Sequence, residues 1–245
     1  QRQFLEVQTA EEALANFRAA LNPRPLGIET VPLAAALGRV VAQTIESPVD
    51  VPGFDRANVD GFALRAVDTV GAREDQPLSL QLSDEVLTPG RVPQAVITRG
   101  FASVIATGGM VPRGADAVVL VENTELEERE GEQSVTLGKA VPAGAFITFA
   151  GTDIGKGETV LRAGQVLSSR EIGLLAAIGL AEVAVFRQPR IAVISTGDEL
   201  VAPGQSPREG GVYDSNGAIV AAALEELGCE PVRLGAVMDV SEQQQ

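Results

Sequence analysis

Arg190-Ile191-Ala192-Val193-Ile194-Ser195 is a continuous apolar run of the kind that suits a strand buried on both faces of a sheet. Ser215 to Leu227 then reads as a helix, with Ser215 or Asp214 as N-cap and Gly228 at its C-terminus. Val232-Arg233-Leu234-Gly235-Ala236-Val237 reads as a second strand. Strand, helix and strand at this length form a βαβ unit, so the two strands are expected to be parallel, joined by a right-handed crossover. Both strands of such a unit end on one edge of the sheet, the helix begins there, and ligands in open α/β sheets bind at that edge. Asp198 and Glu199 follow the first strand, Asp239 follows the second, and Asp214-Ser215-Asn216 opens the helix. Taken singly, Asp198 would cap a turn and Asp239 would be solvated. Together they place three carboxylates and a positively polarised helix terminus on one rim. Free N–H groups there suit a phosphate, and the carboxylates suit its magnesium counter-ion. The connection from Thr196 to Asp214 is also long, since about 2–6 residues are usual for such a loop.

Upstream the pattern changes twice. Thr9-Ala10-Glu11-Glu12 has capping-box spacing, Leu14, Phe17 and Leu21 share one helical face, and Pro23 and Pro25 end the helix. Ala34–Leu37 is a helical turn closed by Gly38, followed by a strand-like Val40–Ile45. From 77 to 150, short alternating runs (Leu78–Leu82, Ala117–Val121, Ser134–Leu137, Phe146–Phe149) are punctuated by Gly and Pro, which predicts a small, mostly β unit inserted into the chain. The acidic run from Glu125 to Glu132 reads as a solvated hairpin tip between two of these strands. Ser168 with Glu171 is a second capping box, opening a helix through Ile178 that Gly179 terminates, and Glu182–Phe186 is a strand.

Composition removes several functions. A chain of 245 residues with 45% hydrophobic content can bury more than one core. A net charge of −14 argues against nucleic-acid or anionic-membrane surfaces, which require a cationic face. No apolar run reaches the ~20 residues that span a bilayer; the longest, Ile172 to Phe186, is interrupted by Glu182. Gln1 to Glu6 lacks the apolar core of a signal peptide, and Cys229 is the only cysteine, so a reducing cytoplasm is the expected location. The chain has no histidine. Ser-His-Asp and Cys-His mechanisms and His-ligated zinc are therefore excluded, and a metal must be held by oxygen ligands, which suits magnesium.

A second informative stretch is Phe54-Asp55-Arg56-Ala57-Asn58-Val59-Asp60-Gly61-Phe62-Ala63, with prolines upstream and a glycine inside. These features favour an irregular loop over a central strand. The stretch resembles the signature P-x-F-D-x-S-A-M-D-G-Y-A of the molybdopterin molybdenumtransferases, the MoeA and gephyrin E-domain family. Thr107-Gly108-Gly109-Met110-Val111-Pro112-Arg113-Gly114-Ala115-Asp116-Ala117-Val118-Val119 is similar to the family's T-G-x-x-x-P-x-G-A-D-A-V-V. Ser195-Thr196-Gly197-Asp198-Glu199-Leu200, Pro203-Gly204 and Asp214-Ser215-Asn216 are similar to its S-T-G-D-E-L, P-G and D-S/T-N. Asp153 matches the Asp of R-x-x-G-E-D, but the arginine-rich approach is replaced here by Phe146-Ile147-Thr148-Phe149 and the Glu by Thr152.

The resemblance implies a fold of the α/β and β multidomain class. A helix at 1–27 would pack on the α/β domain, and residues 28–50 and 154–186 would form a mixed α+β domain. That domain would carry an inserted β-rich domain at 51–153, and 187–245 would be a partial molybdopterin-binding α/β domain. The family's later glycine-rich loop, substrate-binding lysines and C-terminal β domain would lie beyond Gln245, so this form is expected to be incomplete and to turn over little. The implied reaction is insertion of molybdate into adenylylated molybdopterin with release of AMP. The implied catalytic residues are Asp60, Asp153 and Glu199; substrate would be bound by Thr107, Gly108, Thr196, Gly197, Asp198, Ser215 and Asn216, and Mg2+ by Glu199 and Asp239. Asp60 would orient the attacking water or oxyanion, or hold the metal. Family members are homodimers whose cleft would join Asp60, Thr107 and Asp153 of one chain to Glu199 and Asp239 of the other; a molybdopterin adenylyltransferase is the implied upstream partner. Two alternatives are a non-catalytic pterin-binding carrier or sensor, and a gephyrin-like scaffold.

Overall fold

A computed structural model of the chain describes residues 8–129, 131–206 and 208–237. The chain forms two compact units. One contains the described residues up to Gln43, Arg162–Gly173 and those from Ala181 onward; the other contains Thr44–Leu161 and Leu174–Leu180.

The second unit is built on a six-stranded sheet. In spatial order its strands are Ala117–Leu120, Gly61–Leu64, Phe101–Ile105, Leu78–Leu82, Glu132–Leu137 and Thr124–Arg129. Only Leu78–Leu82 and Phe101–Ile105 pair in parallel. Side chains alternate between two cores, as the period of a strand requires. Phe62, Leu64, Ala117, Val119, Val135 and Leu137 face one cluster, while Ala63, Val118 and Ile105 join Ala57, Leu87 and Ile147 in the other. The β-rich character predicted for this region is present, with two differences. Gly61–Ala63, expected to lie in the irregular loop at 54–63, belongs instead to the fully buried strand Gly61–Leu64 between two antiparallel neighbours. Local signals favoured a loop because Gly is a poor strand former, but here glycine is what allows the strands to approach. A Cβ on Gly61 would lie 1.8 Å from the Val119 carbonyl oxygen. The acidic run is likewise more than a hairpin tip, since Thr124–Arg129 is the sheet's outer strand, with Glu125, Glu127 and Glu128 on it. Charges on an outer strand discourage edge-to-edge pairing with another chain.

The first unit contains both capping-box expectations. Thr9 caps the helix Ala10–Leu21, with Glu12 reaching back to the Thr9 N–H. The helix ends at Asn22 in a left-handed conformation, one residue before Pro23. No residue of this helix is buried, so the Leu14, Phe17 and Leu21 stripe stays exposed within the described chain. Ser168 and Glu171 form the second box, at the start of the helix Ser169–Ala177. Glu182–Phe186 pairs antiparallel with Ile28–Pro32, and Arg39 is buried beside them, bonded to Glu29 and the Phe186 carbonyl oxygen.

Arg190–Thr196 and Glu230–Val237 are parallel, and the helix Ser215–Glu226 between them packs against both. The βαβ reading therefore holds. The expectation that Arg190–Ser195 is buried on both faces does not. Val193 is buried, but Ile191 and Ile194 are exposed, the latter at 53%. A two-stranded sheet with one helix covers one face only.

Replacing Gly61 with alanine should cost more than the about 1–3 kcal/mol typical of overpacking, because the clash is with backbone that its own ladder holds in place. Urea unfolding of Gly61→Ala measures this, and a loss below about 1 kcal/mol would show that the ladder opens freely.

Candidate functional site

The predicted residues form two clusters, one in each unit. In the sheet unit, strand register does the assembling. Gly61 pairs with Ile105, so Asp60, just before one strand, lies beside the residues just after the other, although they are 47 positions apart in sequence. The Thr107 N–H donates to Asp60 Oδ1 at 2.6 Å and the Thr107 hydroxyl donates to the same oxygen at 2.8 Å. Both bonds stabilise the charged form, so the Thr107 N–H first, and its hydroxyl second, hold the Asp60 carboxyl below the usual carboxylate range. Asp60 is therefore an anion at neutral pH, and both of these bonds fall on one of its oxygens, Oδ1.

The segment carrying Asp60 is tied on both sides. The Gly108 N–H donates to the Ala57 carbonyl, and the Ala57 N–H to Gly109. On the other side Arg56–Ala57 pairs with Ile147–Thr148, and the Thr148 hydroxyl donates to Asn58 Oδ1. Asp55 accepts from the Ala150 N–H at 2.8 Å. Asp153 lies at the end of this segment, 3.9 Å from the Arg56 guanidinium. Sequence reasoning placed no cation near Asp153. Arg56 supplies one from a distant part of the chain, which no local pattern shows.

In the α/β unit the parallel register brings Thr196 beside Val237, and the Gly197 N–H donates to the Val237 carbonyl. Asp239 lies outside the described residues. The long connection that follows is not open loop. Leu200–Val201 and Val212–Tyr213 form a short parallel ladder, which returns the chain to the helix start. Asp214 caps the helix with both oxygens engaged: Oδ1 accepts from the Gly217 N–H at 2.8 Å and Oδ2 from the Ser195 hydroxyl at 2.7 Å. The Ser195 hydroxyl, more than the Gly217 N–H, holds the Asp214 carboxyl low. This arrangement explains a glycine in the first helical turn, since a Cβ on Gly217 would lie 2.5 Å from Asp214 Oδ2. Gly197 has φ +151°, and a Cβ there would meet the Glu199 carboxylate at 2.8 Å. Glu199 thus folds back over its own turn.

Between the strand end and the helix start lies an open cavity of about 510 Å³, lined by Thr196, Glu199, Tyr213, Ser215, Asn216 and neighbouring apolar residues. The N–H groups of Ser215 and Asn216, in the first turn, have no intrahelical acceptor and carry the positive end of the helix dipole. Asp198 follows Gly197 in the same turn but is not among the lining residues. The structure adds Ser195, Gly217 and Tyr213 to the sequence-derived set. Ser195 read as part of a strand, and only the strand's approach to the helix cap shows its role. Among the described residues no group of three or more His, Cys, Asp or Glu is placed to hold a metal ion. Two carboxylates line the cavity, but both oxygens of Asp214 are engaged by Ser195 and Gly217, which leaves Glu199. One free carboxylate would suit a magnesium ion that arrives with a phosphate and keeps most of its waters, rather than a prebuilt cage.

Residues 8–179 match the family described as MoeA N-terminal region (domain I and II), and residues 192–245 match the one described as probable molybdopterin binding domain. The chain belongs to the MoeA family. It is 36% identical over 233 residues to molybdopterin molybdenumtransferase 2 of Mycobacterium tuberculosis, covering 95% of this chain and 55% of the relative. With the molybdopterin molybdenumtransferase of Synechococcus elongatus it shares 34% identity over 220 residues, covering 89% of this chain and 54% of the relative. A crystal structure of the molybdopterin biosynthesis MoeA protein from Pyrococcus horikoshii superposes with a TM-score of 0.84 at 39% identity, covering 97% of this chain and 59% of that one. The chain spans about half the length of the curated relatives it matches. No helix among the described residues is long and apolar enough to cross a membrane.

Both low carboxyl groups are testable by titration. Each folded pKa lies below its unfolded value of about 3.9, so each contributes stability fully above that value and loses it as pH falls through the folded pKa. Carboxyl NMR should show Asp60 and Asp214 titrating below ordinary aspartates. Thr107→Val should raise only Asp60, and Ser195→Ala only Asp214. Equal movement of both in either variant would mean the shifts are not local.

Proposed function

We propose that this chain is part of a molybdopterin molybdenumtransferase, which inserts molybdate into adenylylated molybdopterin and releases AMP. The observation that carries the proposal is the α/β cavity, where a helix N-terminus and Glu199 meet at a strand end. The Ser215 and Asn216 N–H groups bind the substrate's phosphate, and Thr196, Gly197 and Asp198 shape the turn beside it. Glu199 and Asp239 would hold a magnesium ion, which would supply charge neutralisation on the phosphoanhydride. Asp60, fixed as an anion by Thr107, orients the attacking water or oxyanion, and Gly108 holds the Thr107 turn against Ala57. Asp153 acts beside Arg56 in the same cluster. The working cleft forms in a homodimer, between the Asp60 cluster of one copy and the α/β carboxylates of the other. A molybdopterin adenylyltransferase is the class of enzyme that supplies the substrate.

One observation favours a second reading, a pterin-binding carrier without turnover. Among the described residues lining the cavity there is no lysine or arginine, so a polyanionic ligand meets N–H dipoles but no fixed cation.

A shared cleft predicts complementation. In the full-length dimeric protein, Asp60→Asn and Glu199→Gln should each lower AMP release by about 10-fold or more, the scale of a lost charge-assisted bond. Mixed in equal amounts, the two impaired variants should regain about a quarter of wild-type AMP release. Half of a random mixture is heterodimer, and one of its two sites is intact. No recovery on mixing would rule out a site shared between copies, and pterin binding without AMP release would favour the carrier.

Magnesium should bind weakly alone and more tightly with AMP, because one or two carboxylates plus phosphate suffice for it. Calorimetric titration should show that enhancement lost in an Asp239→Ala, Glu199→Ala double variant. Tight zinc binding without any nucleotide effect would contradict the assignment.

A further inference from the structure

We infer that Tyr213 is the platform on which the ligand's planar heterocycle stacks, an inference that rests on the pterin-nucleotide reading of the α/β cavity. Tyr213 is the one aromatic side chain among the described residues lining that cavity. Its backbone is fixed by the short ladder, where it pairs with Val201. The neighbouring N–H groups are also held, that of Val212 by the Glu199 carbonyl and that of Asp214 by the Val201 carbonyl, each at 2.9 Å. The far end of the side chain is anchored too, since its hydroxyl donates to the Gln205 carbonyl at 3.2 Å. A ring tethered at both ends loses little freedom when a ligand covers it. The residue is nevertheless 45% exposed, so a ligand can reach it.

Position gives the ring its partner. Tyr213 immediately precedes the helix cap Asp214 and the first-turn residues Ser215 and Asn216. A phosphate on those N–H groups would leave the rest of its molecule beside the phenol ring, against the apolar wall made by Leu200, Val212 and Val220. A molecule with an anionic end and a flat, polarisable ring matches that pairing. Purines and pterins share this chemistry, and stacking on an aromatic face is tolerant of which ring is offered. A competing role for Tyr213 is a latch that only ties the Gln205 loop down through its hydroxyl.

The chain has no tryptophan and a single tyrosine, so tyrosine emission reports from this position alone. AMP should quench the emission of the 245-residue chain and ribose 5-phosphate should not, while calorimetry measures AMP and a free pterin side by side. Tyr213→Phe, which keeps the ring and loses the latch, should bind like wild type; Tyr213→Leu should bind the ring compound about 10-fold or more weakly. The probe that suffers the larger loss, AMP or pterin, identifies the ring that stacks. Equal weakening in both variants would assign the residue to the latch and overturn stacking, as would unchanged binding in Tyr213→Leu. A wild type that binds neither ring compound would overturn the pterin-nucleotide reading, and the inference with it.

Discussion

The absence of a side chain at Gly61 sets how closely its strand packs against Ala117–Leu120, and with it the site beside Asp60. Its strand is buried between Phe101–Ile105 and Ala117–Leu120, and the Val119 carbonyl occupies the space where a Cβ would stand. With the strands this close, the pairing register cannot slip by one residue without turning Phe62 and Leu64 away from their core. That register also puts Asp60 within hydrogen-bonding distance of Thr107. Packing and site geometry therefore share one cause, and the residue before Gly61 is a functional candidate partly because Gly61 leaves it nowhere else to go.

The two clusters solve the same problem in the same way. Each carries an aspartate whose ionised form is fixed by a hydroxyl and a backbone N–H, Asp60 by Thr107 and Asp214 by Ser195 with Gly217. In each the aspartate lies beside a strand end, where main-chain donors lack ladder partners. The outcomes differ because the oxygens are used differently. Asp214 uses both oxygens to tie the strand end to the helix start, whereas Asp60 receives both bonds on Oδ1, so only under the proposed function is its second oxygen free for chemistry. In an acidic chain of net charge −14 without histidine, such oriented dipoles, with a cation such as Arg56 beside Asp153, are what hold the carboxylates in place.

Local sequence patterns were sufficient wherever the decisive forces act within a few residues. Both capping boxes, the stop signals at Pro23 and Gly179, and the parallel βαβ reading rest on contacts between near neighbours or on a long apolar run, and the structure contains them. The family motifs were legible for a related reason, since turns that present functional groups need particular residues in fixed order. Patterns misled where a distant strand changes a residue's environment. Gly61–Leu64 carries turn-like signals, and only two flanking strands make it the middle of a sheet. The Arg190–Ser195 run looks like doubly covered strand, but burial depends on what lies on each side, and one side is open here.

The sequence by itself determined the chemistry available: carboxylates, hydroxyls and a helix terminus, with no histidine and one cysteine. It also determined the order of elements that could carry them, because period and capping are short-range properties of the chain. Tertiary structure alone decided which groups meet. Thr107 reaches Asp60 through antiparallel register, Arg56 reaches Asp153 through a two-residue ladder, and Ser195 reaches Asp214 where a strand end crosses a helix start. Hydrogen bonds and ion pairs act over a few ångströms, while these partners stand 19 to 97 residues apart in sequence, a separation that only folding removes.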